Sequence, residues 1–248
     1  MTSRLEYSVL KYIPSEESGE VLNLGVLFFD ESDRFREFRY ITSFDRLKAF
    51  DDEVNIKFVK GLLEGIESDI KTNSFRKGDF TIDEFVRFYL DKYRFDKIKV
   101  MNTEDREDTI DKLTKLYLGL NMNKKERLSS QQTLKILEEI IKQKDTGVEK
   151  KKIVIGKYND RVIYDFSTEK YNIKYLDLNS KQLSRLINNI KMWAWNAEHS
   201  NDDKTVLFLY DYMESKENDR DFRIIRDIIE DSNARFVDMN TGVDLIVS

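Results

Sequence analysis

Residues 20–30 read E-V-L-N-L-G-V-L-F-F-D, the most continuously apolar segment in the first half of the chain. It is apolar on both faces apart from Asn23 and Gly25, which predicts a strand in the centre of a sheet. Residues 6–13 and 34–41 are rich in β-branched and aromatic residues and predict two further strands. Because the connections between the strands are short, the pattern predicts a three-stranded antiparallel meander.

Apolar residues at helical spacing follow the meander. They predict helices at residues 43–50, 54–70, 81 onward and 105–120, and a short strand at 97–101. Ser43 is expected to cap the first helix, and the T-I-D-E sequence at residues 81–84 has the form of a capping box. A meander packed on helices indicates an α+β domain, which we assign to residues 1–122.

The polar residues 121–130 predict a domain boundary, so a second domain is expected at residues 123–248. Its pattern predicts the order α-β-β-β-α-β-α-β-β, which is typical of a mixed-sheet α/β domain. The predicted elements are a helix from Ser130, strands 152–158, 161–166 and 171–178, a helix capped by Ser180, a strand 205–210, a helix 222–229, and terminal strands 235–238 and 243–247. Asn159 and Asp160 predict a tight hairpin turn between the first two strands.

The composition excludes several kinds of site. The 248 residues include no cysteine and one histidine, which excludes a disulfide scaffold, a thiolate metal site and a thiol nucleophile. No apolar run approaches the roughly 20 residues that a membrane helix needs, and the N-terminus lacks the apolar stretch of a signal peptide. We therefore expect a cytoplasmic protein with no membrane contact. The net charge of −5 falls within residues 1–122, and this acidic half would suit a basic protein partner.

The first two predicted strands carry a recognisable motif. Residues 7–14 read Y-S-V-L-K-Y-I-P and residues 19–26 read G-E-V-L-N-L-G-V, while residues 104–120 form an acidic stretch followed by a leucine- and tyrosine-rich helix. In these features the first half resembles an uncharacterised bacterial family catalogued as domain of unknown function 3037. Members are often encoded beside HipA-like kinases or in defence and mobile-element neighbourhoods. The resemblance therefore implies a regulatory role, with a HipA-like kinase or a defence protein as partner.

Four residues of this motif are candidate binding residues, namely Lys11, Glu20, Asn23 and Gly25. A buried asparagine must find hydrogen-bond partners, and a glycine within a strand allows another group to approach closely. If the polar groups converge across the first hairpin, they can bind a carboxylate, a phosphate or a peptide backbone. The alternative is a structural cluster in which Lys11 pairs with Glu20 and Gly25 admits a helix side chain. The set contains no nucleophile with its base.

The order α-β-β-β-α-β in the second half resembles the core of PD-(D/E)XK nucleases. Such enzymes place an aspartate at the end of the second strand and an acid-x-Lys on the third, which here implies Asp165 and Lys174 as catalytic residues. Glu138 would add a ligand for Mg²⁺ or Mn²⁺. Asn172 replaces the expected acid of the metal site, and a neutral amide weakens a hard-cation site. This departure favours an inactive relative or an unrelated sheet.

A locally basic stretch at residues 142–161 includes a group of four lysines: Lys150, Lys151, Lys152 and Lys157. They indicate either a solvated strand edge or a nucleic-acid-binding patch. The interpretation we favour is a non-catalytic protein-binding or regulatory protein in a toxin–antitoxin, phage-defence or counter-defence setting, of bacterial, phage or mobile-element origin. The alternatives are a divalent-metal-dependent nuclease and a nucleic-acid binder that does not cleave.

Overall fold

The chain divides into two compact units, Met1–Ser129 and Ser130–Ser248. The computed structural model describes residues 3–15, 20–72, 79–87, 92–123, 125–144, 147–178, 183–199, 202–211 and 220–247. Ser180, the predicted cap of the second long helix, lies outside these ranges, as does residue 19 at the start of the second motif segment. Both units mix helices with strands, which confirms the predicted α+β class.

The N-terminal unit is built on an antiparallel sheet. Its strands are β1 (Ser3–Tyr12), β2 (Leu22–Asp30), β3 (Phe35–Tyr40), β4 (Tyr93–Phe95) and β5 (Lys99–Thr103). The order is β3-β2-β1-β4, and β5 also pairs with β1. The meander of β1, β2 and β3 is therefore confirmed, and every residue of β2 is buried, as a central strand requires.

Helices cover both faces of this sheet. They are α1 (Asp45–Phe50), α2 (Ile56–Thr72), α3 (Ile82–Val86) and α4 (Arg106–Leu118), and a 3₁₀ turn at Gly119–Asn121 follows. Neighbouring residues of a strand point to opposite faces, so the Arg39 side chain reaches Asp111 of α4 while the Tyr40 hydroxyl donates to Glu67 of α2.

The capping predictions for these helices differ in outcome. The Thr81 hydroxyl accepts a hydrogen bond from the Glu84 amide, so the predicted cap of α3 is confirmed. The prediction for Ser43 is wrong, because Phe44 is the residue that precedes α1 and it makes no side-chain cap hydrogen bond. The Ser43 oxygen instead accepts from the Asp45 amide at 3.5 Å, in the turn before the helix.

The C-terminal unit contains a second sheet. Its elements are α5 (Ser130–Lys144), β6 (Glu149–Lys150), β7 (Ile153–Ile155), β8 (Arg161–Ile163), β9 (Phe166–Ser167), β10 (Tyr171–Asp177), α6 (Leu183–His199), β11 (Thr205–Asp211), α7 (Arg220–Glu230), β12 (Ala234–Asp238) and α8 (Met239–Val247). The main sheet has the order β12-β11-β10-β9-β6, with β10, β11 and β12 parallel and β9 antiparallel to β10. The mixed sheet is as predicted.

The last predicted strand, residues 243–247, is wrong because this segment belongs to α8. The carboxylate of Asp238 accepts hydrogen bonds from the amides of Asn240 and Thr241, so it caps the helix directly after β12. Met239 and Val243 are both buried at helical spacing. The capping aspartate, rather than the apolar composition, decides the structure here.

Strands β6 to β9 form one long hairpin that bends at Lys151. The Lys151 amide donates to Asp165 O and the Tyr164 amide donates to Lys152 O, so the pairing continues past the bend. Lys151 has a φ of 52°, in the left-handed region, which interrupts the extended backbone. Beyond the bend, β7 and β8 form a separate two-stranded sheet. We call residues 153–163 the ribbon.

Candidate functional site

The motif residues Lys11 and Asn23 are brought together as cross-strand partners on β1 and β2. The Lys11 ammonium forms an ion pair with Asp96 at 2.6 Å. Lys99, whose side chain is buried, contacts the same carboxylate at 3.2 Å. Its ammonium also lies 5.4 Å from the centroid of the Tyr117 ring. The aspartate therefore joins two lysines from different strands.

The side chains of Asn23 and Gly25 have clear packing roles. Asn23 is buried, and its amide nitrogen donates to the carbonyl of Tyr117 at 3.0 Å, which ties β2 to the end of α4. A Cβ atom at Gly25 would collide with the tip of the Phe38 ring. Gly25 thus admits a side chain of β3, not the helix side chain that was expected. Glu20 is exposed and precedes β2.

Asp165 and Lys174, the candidate catalytic residues, form an ion pair at 3.1 Å. The other oxygen of Asp165 accepts the backbone amide of Tyr175 at 2.9 Å. Lys174 also donates to the carbonyl of Ile163 at 3.3 Å, and its ammonium lies 4.8 Å from the centroid of the Trp193 ring. These contacts occur where the ribbon separates from the edge of β10. The ion pair therefore satisfies two backbone groups that have no strand partner there, the Ile163 carbonyl and the Tyr175 amide.

The other proposed metal ligands have partners of their own. The amide nitrogen of Asn172 donates to Asp202 at 2.9 Å. Glu138 pairs with Lys142 at 2.7 Å and with Lys150 at 2.5 Å, and these two hydrogen bonds lower the pKa of its carboxyl. Within the ranges that the structure describes, no group of three or more His, Cys, Asp or Glu side chains could hold a metal ion.

The ribbon presents apolar side chains on its outer face. Val162 is buried, and Val154 packs against the core of the C-terminal unit. Ile153, Ile155 and Ile163, on the opposite face, are 49%, 49% and 48% exposed. A two-stranded sheet with one solvated face ordinarily places polar residues there. The ribbon therefore carries an apolar surface that the described residues leave uncovered.

The ribbon is anchored to the rest of the C-terminal unit by the packing of its inner face on the core and by a ring contact at its tip. Tyr158 in the turn stacks on Trp195 of α6, with ring centroids 5.1 Å apart and ring planes at 9°. The Gly156 amide donates to Asp160 O at 2.8 Å, and Asn159 has a φ of 65°. A turn between the two strands is therefore present, but it comprises Lys157, Tyr158 and Asn159, because Asp160 already pairs with Gly156; the prediction placed it one to two residues too late. The uncovered isoleucines thus sit on an anchored structure.

Of the four lysines proposed as a nucleic-acid patch, two form ion pairs with glutamates and two do not. Lys150 pairs with Glu138, and Lys152 pairs with Glu149 at 2.7 Å. Lys151 and Lys157 are exposed and form no ion pair with any residue in the described part of the chain. The same holds for Arg161, the cross-strand partner of Ile155. The unpaired cations lie at the ends of β7 and on β8, around the isoleucines.

These features define an α+β protein in which Lys11, Asn23 and Gly25 make contacts within the N-terminal unit and an exposed apolar surface lies in the C-terminal unit. The model of the family described as "Protein of unknown function (DUF3037)" matches residues 7–118. This match confirms the resemblance expected from the first strands, and it falls within the N-terminal unit. No curated protein and no solved structure matches the chain. The described residues contain no helix with the length and hydropathy needed to cross a bilayer.

Sequence reasoning missed the three isoleucines of the ribbon. Their signal was present, because I-V-I at residues 153–155 and R-V-I at 161–163 place apolar residues on both faces of a hairpin. It also missed Asp96 and Lys99 as partners of Lys11. Those residues come from a distant segment of the chain, and no local pattern connects them to the motif.

Proposed function

We propose that the protein is a non-catalytic protein-binding protein and that a partner docks on the outer face of the ribbon. The supporting observation is the row of half-exposed isoleucines on an anchored two-stranded sheet. Ile153 and Ile163 are direct cross-strand partners, so their side chains form one continuous apolar area. Burying the exposed half of each isoleucine side chain would contribute on the order of 1 kcal/mol.

A nucleic-acid ligand has less support at this surface. Of the four candidate patch lysines, Lys150 and Lys152 are paired with glutamates, and binding to phosphates depends on cations that can neutralise them. Isoleucine side chains offer no aromatic face for bases to stack on. The surface therefore fits an apolar protein segment better than a phosphate backbone.

A nuclease activity also has less support. Both oxygens of Asp165 have partners within the fold, namely the Lys174 ammonium and the Tyr175 amide. A metal ion at this position would need a second anionic ligand, whereas Asn172 supplies only an amide whose nitrogen is bonded to Asp202.

The cellular setting is part of the same proposal. We place the protein in the bacterial cytoplasm, in a toxin–antitoxin, phage-defence or counter-defence system. A HipA-like kinase or a defence protein is the proposed partner, and the family resemblance is the support for this assignment.

Position-specific photo-crosslinking in cells of the native host tests the binding surface. A photoreactive amino acid placed at Ile163 should give a discrete adduct with one protein, and the same residue at Glu230, an exposed position on α7, should not. The adduct at position 163 should disappear when Ile153→Ser is added. Equal adducts at both positions, or none at position 163, would overturn the proposal.

A cleavage assay tests the non-catalytic part. The purified chain is incubated with DNA or RNA and Mg²⁺ or Mn²⁺, with Asp165→Ala as the matched variant. We expect no cleavage by either protein. Cleavage by the unmodified chain that is lost in the variant would replace the binding function with the nuclease.

A further inference from the structure

Strand β7 offers a free edge beside its apolar face. The hydrogen bonds of Lys152 O with the Tyr164 amide and of the Gly156 amide with Asp160 O lie on the side of β8. In an antiparallel pair the residues between such positions direct their amides and carbonyls away from the partner strand. The backbone groups of Ile153 and Ile155 therefore point outward, and among the described strands β7 pairs with β8 alone.

The space next to this edge is open. A groove of about 800 Å³ borders Val154 and Ile155 and is completed by loop residues of both charges: Glu169, Lys170, Asp202, Asp203 and Lys204. Natural proteins protect an exposed edge with charged residues, proline or a bulge along its length. The I-V-I sequence of β7 has none of these, so the edge is available to an additional strand.

The groove beside β7 carries three carboxylates and two lysines, whereas the cations without an ion pair lie at the two ends of β7 and on β8, so acidic groups are favoured at the ends of a bound segment. Lys151 lies at one end of β7 and Lys157 just beyond the other, and both are exposed without an ion pair in the described part of the chain. Arg161 adds a third such cation on β8. A segment that pairs along β7 would therefore meet apolar side chains in its middle and positive charge at its ends.

A second copy of this chain fits the edge poorly. If β7 paired antiparallel with β7 of another molecule around Val154, Lys151 of each copy would lie opposite Lys157 of the other. Like charges directly opposite each other destabilise a strand pair. The charge pattern thus favours a different protein over self-association.

Building on the proposed function, we infer that the ribbon binds an extended segment of another protein by strand addition to β7. The segment has apolar, preferably β-branched, residues at alternate positions and Asp or Glu near both ends. Backbone hydrogen bonds to Ile153 and Ile155 provide the pairing, and the flanking carboxylates contact the unpaired cations.

A peptide selection on the purified full-length chain tests this partner chemistry. The probe is a displayed library of random peptides about ten residues long, the upper range of strand lengths. We expect the enriched peptides to alternate β-branched and other residues between acidic ends. The double variant Lys151→Glu with Lys157→Glu should shift the enriched ends from acidic to basic, without changing the core of the ribbon.

A matched pair of variants at Ile153 tests the strand pairing itself. Ile153→Pro removes an outward amide that β8 does not use, and proline is tolerated on an edge strand. Ile153→Pro should raise the dissociation constant of an enriched synthetic peptide about tenfold or more. Ile153→Thr, which keeps the amide, should raise it only a few-fold. Circular dichroism checks that both variants remain folded, and the charge-reversal variant decides the question if the proline variant does not fold.

Three results would overturn the inference. They are enriched peptides that lack acidic ends or ignore the charge reversal, a single-stranded oligonucleotide that displaces the peptides at lower concentration, and dimerisation of the chain that Ile163→Ser abolishes. Because the selection uses the purified chain alone, its failure is distinguishable from failure of the photo-crosslinking. A position-specific adduct without acidic peptides would leave the protein-binding function in place and remove only this partner chemistry.

Discussion

Strands β2 and β7 are both rich in aliphatic residues, yet their surroundings are opposite. All nine residues of β2 are buried, with β1 and β3 on its two edges. The three residues of β7 have β8 on one edge, and two of them are half exposed. A strand that is apolar on both faces must have both faces packed, but its sequence does not say whether the packing comes from the same chain or from another molecule. In β2 the fold supplies that packing, whereas in β7 we propose that a partner does.

Truncating one aliphatic side chain in each region tests this contrast most strongly. Leu27 is fully buried in β2, so Leu27→Ala should lower the free energy of unfolding by about 2–5 kcal/mol. Ile163 is 48% exposed, and Ile163→Ala should cost about 1 kcal/mol or less. Amide hydrogen exchange read by mass spectrometry reports each region separately. Equal losses would mean that the ribbon isoleucines are packed and would remove the contrast.

A smaller effect is expected where the ribbon separates from the main sheet. Asp165→Ala removes the acceptor of the Tyr175 amide and leaves the partly buried Lys174 without its carboxylate. We expect a loss of about 1–3 kcal/mol in urea unfolding and faster exchange in the ribbon. Asp165→Asn should cost less, because its amide oxygen can still accept from Tyr175. Unchanged stability in Asp165→Ala would contradict the structural role given to this pair.

The two units should also differ in their response to pH. Burial alone would raise the pKa of Asp30, but hydrogen bonds from Ser3 and Ser32 and the charge of Arg106 bring it below its usual 3.8. Its stabilising effect is therefore present above that pH and lost as the pH falls through the lowered value. Burial, with a contribution from Asp202, raises the pKa of Tyr164 from 10.0 to about 12. The contribution of the neutral Tyr164 hydroxyl to stability is therefore present below pH 10.0 and is lost as the pH rises toward 12.

Urea unfolding followed by circular dichroism across the pH range checks these directions. Tyr164→Phe should leave stability near neutral pH almost unchanged and reduce the loss above pH 10.0. Asp30→Asn should destabilise the N-terminal unit near neutral pH and flatten its decline in acid. An unchanged alkaline decline in Tyr164→Phe would show that this hydroxyl does not titrate as its burial implies.

Local pattern was sufficient for much of the fold. The central position of β2 followed from a run that is apolar on both faces apart from Asn23 and Gly25, and the cap of α3 followed from Thr81 and Glu84. The last segment failed because Asp238 caps a helix, and a single capping carboxylate outweighs the β propensity of nearby valines. The short strand β6 before the bend at Lys151 and the division of the predicted strand 161–166 into β8 and β9 also escaped prediction, because a left-handed lysine carries no sequence signal.

The candidate site was predictable only in part. Sequence order suggested that Asp165 and Lys174 would be close, and they are, but only the structure relates them to an amide of β10. The pairing of Lys11 with Asp96 depends on a long-range strand contact. The exposure of the ribbon isoleucines depends on which elements pack on the outer face of the ribbon, and this is determined only by the complete fold.

The stacked rings beneath the ribbon have a practical consequence. Both tryptophans of the chain, Trp193 and Trp195, lie on α6, one beside the ammonium of Lys174 and the other against the Tyr158 ring. Intrinsic fluorescence excited selectively at the indoles therefore originates in the C-terminal unit, from one indole stacked on the tip of the ribbon and another beside the lysine that donates to the Ile163 carbonyl. The molecule carries its own optical reporter of ribbon displacement, and no label has to be attached to follow it.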